Sequence, residues 1–191
     1  MKFFMKEENV DKYIKMVKDY DSSNIINKLR MYLEDGASLL ELGMGPGKDL
    51  EMLSKYYKVV GSDNSPVFID KFNSKGNNIE AILLDAIEMN TTRKFDCIYS
   101  NKVLQHLTKK EFIESLKNQI KNLNDEGIIF MTLWKGTHRE EIEFNGEIRF
   151  TYYLEEDIRE LVSEDYEIIV LQSYAEETDD DSLLVVLKKK F

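Results

Sequence analysis

The sequence predicts an α/β protein: a parallel sheet with helices on both faces, finished at the C-terminus by an antiparallel hairpin. Three observations carry this. Residues Ser38–Asp63 read as a strand, a glycine turn, a helix and a second strand ending in an acid. Strand and helix patterns then alternate as far as Leu133. After a helix near Leu154–Val162, two strand patterns follow each other across the short acidic turn Ala175–Asp181, so the last strand runs antiparallel to its neighbour.

Each element has a local reason. From Glu7 to Leu33, Val10, Tyr13, Ile14 and Val17 recur at helical spacing, and Ile25, Ile26, Leu29 and Leu33 do so again. Asp21-Ser22-Ser23 interrupts them and offers an N-cap, which predicts two helices with a break there. Gly36 marks a turn before the first strand. Strands are predicted at Ser38–Leu42, Lys58–Ser62, Ile79–Leu84, Phe95–Ser100, Gly127–Leu133, Tyr166–Ser173 and Ser182–Leu187. Helices are predicted at Lys48–Tyr56, Pro66–Ser74 and Lys109–Leu123, with a short turn at Ala86–Asn90. Thr108 with Glu111 forms a capping box before the third of these.

The chain has 191 residues, 42% hydrophobic and 32% charged, which predicts one globular domain over 1–191. A net charge of −10 weighs against a nucleic-acid partner, whose phosphates demand a basic footprint. The acidic run Glu176–Asp181 reads as a solvated turn. Cys97, the single cysteine, lies in an apolar strand and reads as a buried structural thiol. The N-terminus turns acidic too early for a signal peptide, and no apolar run approaches the ~20 residues of a membrane span, so a soluble, cytoplasmic chain is expected and no membrane partner. The two histidines and the carboxylates show no metal-ligand spacing, so no metal is expected.

The glycine turn carries the chemistry. In an open parallel sheet, a strand–turn–helix of this kind places a nucleoside-containing ligand beyond the carboxyl ends of the strands. Asp63 lies 20 residues after Gly43, a spacing that lets a carboxylate take hydrogen bonds from a ribose diol. The pattern is G-x-G-x-G rather than the dinucleotide fingerprint G-x-G-x-x-G, and Lys48 sits where the third glycine would fall. Glu41, just before the turn, would repel a pyrophosphate and suits an ammonium or sulfonium group.

Glu41–Leu–Gly–Met–Gly–Pro–Gly47 closely resembles the first motif of the class I S-adenosylmethionine-dependent methyltransferases, and the order of elements from about residue 36 to 191 resembles that family too. The resemblance implies a Rossmann-like, seven-stranded mixed sheet with an antiparallel last strand and an N-terminal helical extension. It implies S-adenosyl-L-methionine as cofactor, held by Glu41, Gly43, Gly45 and Gly47, with Asp63 on the ribose and Asn64 beside the adenine. Asp85 and Ala86 would meet the adenine amino group and ring, and Asn101 the methionine end. Asp63 as a helix cap, and Asp85 as a plain strand end, remain alternative readings.

His106 is the candidate catalytic base, the other reading being a histidine that holds its loop; His138 is a second candidate, or a surface histidine. Tyr13, Trp134 and Tyr153 are expected at the substrate, with Tyr20, Arg149 and Tyr152 as further candidates. Residues 1–35 are expected to form part of a substrate lid over a cofactor core of 36–191. The activity implied is transfer of a methyl group, by in-line displacement, to a small-molecule acceptor. SNKV stands in place of the (N/D/S)-P-P-(Y/F) signature, which weighs against nucleic-acid or glutamine methylation. A non-catalytic cofactor-binding regulatory module on the same fold is the alternative, and an NAD-dependent oxidoreductase is disfavoured by the glycine spacing. The oligomeric state is left open.

Overall fold

The first strand, β1 (Ser38–Leu42), is flanked on both sides and buried on both faces, which is why it reads as an unbroken apolar run rather than an alternating one. The computed structural model describes residues 3–137, 139–144, 146–162 and 164–190. On one side of β1 lies β2 (Lys58–Asp63), then β3 (Glu80–Leu83) at the sheet edge; on the other lies β4 (Phe95–Asn101), then β5 (Leu123–Trp134). All these neighbours are parallel. Beyond β5 come β9 (Ser182–Lys189) and, at the far edge, β8 (Tyr166–Tyr174), both pairings antiparallel. The result is the expected seven-stranded mixed sheet, in the order β3-β2-β1-β4-β5-β9-β8.

The two faces of the sheet are two cores. Leu40 and Leu42 of β1, Ile98 of β4 and Ile129 of β5 pack on one face with Phe112 and Leu116 of α5 (Lys109–Gln119). Leu39, Cys97, Tyr99 and Phe130 pack on the other with Ile25, Ile26 and Leu29 of α2 (Ser23–Leu29). Cys97 is fully buried, as expected of a structural thiol. Each fully buried Leu, Ile or Phe contributes about 1.5–3 kcal/mol. This matters because several helices are too short to stand alone: α3 (Lys48–Leu53) has six residues and α2 seven.

Element ends differ from expectation in instructive places. The first N-terminal helix, α1, spans Glu7–Met16, and Asp21 supplies the break before α2 by accepting from the Ser23 amide at 2.9 Å and hydroxyl at 3.0 Å. α3 stops at Leu53 rather than Tyr56, and the Tyr56 carbonyl accepts from the Gly36 amide at 2.7 Å. α4 spans Pro66–Asn73, with the Ser65 hydroxyl capping Phe68. α5 ends at Gln119, tightening into a 3-10 turn at Ile120–Asn122, and β5 starts at Leu123, ahead of Gly127. The Thr108–Glu111 capping box is present.

A two-stranded antiparallel sheet of β6 (Arg139–Glu143) and β7 (Ile148–Tyr152) stands between β5 and α6 (Glu155–Val162), where no strands were expected. The sequence held the signal: Asn145-Gly146 sits between two strand-compatible segments, the dipeptide most favoured in tight hairpins.

Candidate functional site

A cavity of about 710 Å³ opens beyond the carboxyl ends of β1 and β4, walled by α1 and by the β6–β7 hairpin. The turn after β1 forms one end. Gly43 has φ +66°, and a Cβ there would lie 2.5 Å from Val103 Cγ1, so the turn after β1 presses directly on the turn after β4. At Gly47, φ is +81° and a Cβ would enter the Phe72 ring of α4. Gly45 faces the cavity, where only the Tyr13 ring would meet a side chain.

Glu41 is the unusual group here. It lies in the cavity wall, it is buried, and its Oε2 has no hydrogen-bond partner. Burial, then the nearby Asp49 and Asp63, push its carboxyl well above the usual carboxylate range. A buried, unpartnered carboxylate is costly unless a cation meets it.

Asp63 accepts from the Gly45 amide at 3.0 Å and from the Ser65 amide at 2.8 Å. It therefore braces the glycine turn and the start of α4 together, and burial raises its carboxyl despite these bonds. Asp85 takes the amides of Ile87 at 2.7 Å and Glu88 at 3.2 Å, organising the turn after β3. The Ala86 carbonyl accepts from Ser115 at 2.6 Å. Asp63, Asn64, Asp85, Ala86 and Gly47 do not line the cavity, whereas Glu41, Gly43, Gly45 and Asn101 do. Close by Asp63, the Ser65 hydroxyl donates to the Phe4 carbonyl at 2.5 Å, and Phe4 packs against Phe68 and Tyr13 at 5.5 and 5.1 Å.

Asp49, in the first turn of α3, is a hub the sequence did not single out. Its carboxylate accepts from Ser22 at 2.5 Å, Tyr99 at 2.8 Å and Asn101 at 3.0 Å. Asn101 in turn donates to the Tyr20 hydroxyl at 3.2 Å and accepts from Thr132 at 2.5 Å. Beside Asp49, the Lys48 ammonium donates to the carbonyls of Val17, Lys18 and Tyr20. The glycine-turn helix thus grips the segment that joins α1 to α2.

At the other end of the cavity, His106 Nδ1 lies 2.7 Å from the Arg149 carbonyl. A carbonyl only accepts, so Nδ1 carries the proton and Nε2 keeps its lone pair. The ring meets Phe150 edge-on at 4.8 Å, and burial pushes the imidazole below its ordinary pKa of 6.5, which keeps it neutral. Tyr13, Tyr20 and Trp134 also line the cavity, and the Trp134 amide donates to Gln105 at 3.0 Å.

Three expectations are corrected. Tyr153 is fully buried and stacked on Phe112 at 5.3 Å, in the core rather than in the cavity wall. Arg149 and Tyr152 point their side chains at the hairpin's own surface, Arg149 to Glu140 and Tyr152 under Arg139, and neither lines the cavity. Glu176 is not a solvated turn residue: its side chain is 14% exposed and pairs with Lys102 at 3.0 Å in the cavity wall. His138 lies outside the described residues. Among the described residues no group of His, Cys, Asp and Glu is arranged to hold a metal, and no helix is long and apolar enough to cross a membrane.

Residues 39–127 match the family described as "Methyltransferase domain". The chain is 32% identical over 79 residues to the trans-aconitate 2-methyltransferase of Enterobacter sp. (strain 638), which covers 40% of this chain and 31% of that protein. It is 31% identical over 80 residues to an uncharacterized 37.1 kDa protein in transposon TN4556 of Streptomyces fradiae, covering 38% of this chain and 23% of that one. The match thus spans less than a third of either relative. In structure, the chain is similar to the 1,6-didemethyltoxoflavin-N1-methyltransferase of Burkholderia thailandensis, with a TM-score of 0.79 over 95% of this chain and 83% of the other. At 15% identity that likeness speaks for the fold. Residues 39–127 of this chain are thus similar to a methyltransferase domain, and the mixed sheet has the fold of a solved methyltransferase.

Proposed function

We propose that this chain binds S-adenosylmethionine and transfers its methyl group to a small-molecule acceptor. The observation that carries the reading is Glu41, a buried carboxylate with an unpartnered oxygen in the wall of a cavity at the glycine turn. The residues that line the cavity fit the methionine end of the cofactor. Glu41 would meet its ammonium, and the backbone of Gly43 and Gly45 leaves room beside it. Asn101 would stand at the methionine end. Asp63 would hold the ribose, with Asn64, Asp85 and Ala86 toward the adenine. Gly47 sets the start of α3.

When bound, the cofactor supplies an activated methyl group on a positively charged sulfur. The chain's own contribution is alignment and a dry site. Residues 1–35 act as part of a lid: Tyr13 and Tyr20 reach the cavity from this segment, which Lys48 and Asp49 hold against the core. Trp134 borders the acceptor. His106, with its lone pair on Nε2, takes the proton from an acceptor nitrogen or oxygen as the methyl group arrives.

Incubation with methyl-labelled S-adenosylmethionine and a metabolite extract tests the reading. Label should enter the low-mass fraction. Label recovered in protein or nucleic acid, or in neither, would refute a small-molecule acceptor.

A further inference from the structure

Lys102 follows β4 directly, with a left-handed backbone (φ +57°) that side chains rarely adopt. Its ammonium lies 3.5 Å from the centroid of the Trp134 ring. All three of its N–H groups have acceptors: the Leu133 carbonyl at 3.1 Å, the Ser182 hydroxyl at 2.6 Å and Glu176 Oε2 at 3.0 Å. Glu176 is held in turn, accepting from Tyr20 on one oxygen at 2.8 Å and from Tyr174 on the other at 2.9 Å. Burial pushes the Lys102 ammonium down to about 8, against the opposing pull of Glu176.

The remaining cations of the cavity are also committed or outside. Among the described residues, four lysines and no arginine line it, against six acidic side chains. Lys48 is spent on carbonyls, Lys6 is paired with Glu147 at 2.6 Å, and Lys12 is exposed. The cavity wall also carries aromatic and apolar side chains, among them Phe144, Ile148 and Phe150. A carboxylate entering here would shed its water, find no uncommitted donor on a buried cation, and face Glu176 and Glu177. An aromatic ring would pack against rings.

We propose that the Lys102–Glu176 pair determines specificity: by neutralising the buried ammonium beside Trp134, it fits the cavity to an aromatic acceptor bearing an amine or hydroxyl and rejects one bearing a carboxylate. This rests on the methyltransferase reading above. The pair acts on the choice of acceptor, through charge, rather than on the reacting atoms.

Trp134 is the only tryptophan in the chain, so its fluorescence reports this site alone. With S-adenosylhomocysteine bound, three probes of one shape are titrated at pH 7: 2-phenylethylamine, 2-phenylethanol and 3-phenylpropionate. The amine and the alcohol should bind roughly tenfold or more tightly than the carboxylate, about 1.4 kcal/mol. Glu176→Gln keeps the shape but frees the ammonium, and should shift the preference toward 3-phenylpropionate by roughly tenfold. A wild-type protein that prefers the carboxylate, or a Glu176→Gln protein with unchanged preference, overturns the inference. If Glu176→Gln does not fold, Lys102→Met tests it from the other side. That variant leaves Glu176 unneutralised and should widen the preference for the amine; a narrowed preference overturns the inference. Calorimetry with S-adenosylhomocysteine beforehand separates the two levels. If it binds and none of the probes does, this inference fails alone; if it does not bind, the reading beneath fails as well.

Discussion

Glu41→Gln should weaken cofactor binding and stabilise the free protein at the same time. Glu41 is 4% exposed and offers one oxygen without a partner. One charge-assisted hydrogen bond to an ammonium is worth about 1.5–3 kcal/mol, so its loss should weaken S-adenosylhomocysteine binding about ten- to hundredfold. Without ligand the same carboxylate is a burden. Its pKa in the folded chain is raised above the ordinary 4.5, so the folded state holds the proton more tightly than the unfolded one. Stability of the free protein is then greatest below the ordinary value and falls as pH rises from there through the folded pKa. The glutamine variant should lack that slope and melt higher at pH 8. Urea unfolding at several pH values and calorimetric titration supply both readings. A variant with unchanged affinity, or one that loses affinity and stability together, would show Glu41 to be a structural group and refute the reasoning.

Three further outcomes are expected. Asp49→Ala strands the buried Tyr99 and Ser22 hydroxyls and should cost about 2–6 kcal/mol, at about 1–3 per orphaned group; adding Tyr99→Phe should recover part of that in chemical denaturation, and a purely additive second loss would contradict the hub. His106→Ala should lower turnover about 10²-fold or more with cofactor affinity unchanged. The wild-type rate should rise with pH through a pKa below the ordinary 6.5, because burial disfavours the charged ring, and a variant with the same rate and profile would assign His106 to loop structure. Gly47→Ala combines a left-handed backbone with a clash on Phe72 and should lower stability by about 1–3 kcal/mol; a melting temperature within a degree of wild type would contradict the packing.

The sheet was legible because its strands declare themselves. β1, β4 and β9 are buried on both faces and bounded by turn residues, so their apolar runs survive without knowledge of their neighbours. The β6–β7 hairpin was not, because β6 is mostly polar and exposed, and only Asn145-Gly146 marks the turn. The glycine turn could be read from spacing, since backbone angles and close approach restrict those positions to glycine. The far wall of the cavity could not. Glu176 sits in an acidic run that looks solvated, and only the fold brings it across 74 residues to Lys102. Asp49 was invisible for the same reason: its partner Ser22 comes from the start of α2, and Tyr99 and Asn101 come from β4, 50 and 52 residues further along the chain. Tyr153 was misread because an aromatic residue at a strand's end looks alike whether it faces a cavity or Phe112.

The most direct test of the central claim is a calorimetric titration of the wild-type chain with S-adenosylmethionine, S-adenosylhomocysteine and NAD. Micromolar binding of the first two and none of NAD is the predicted result. Binding of NAD alone, or of none of the three, would contradict the account and leave the glycine turn as a connection between strand and helix.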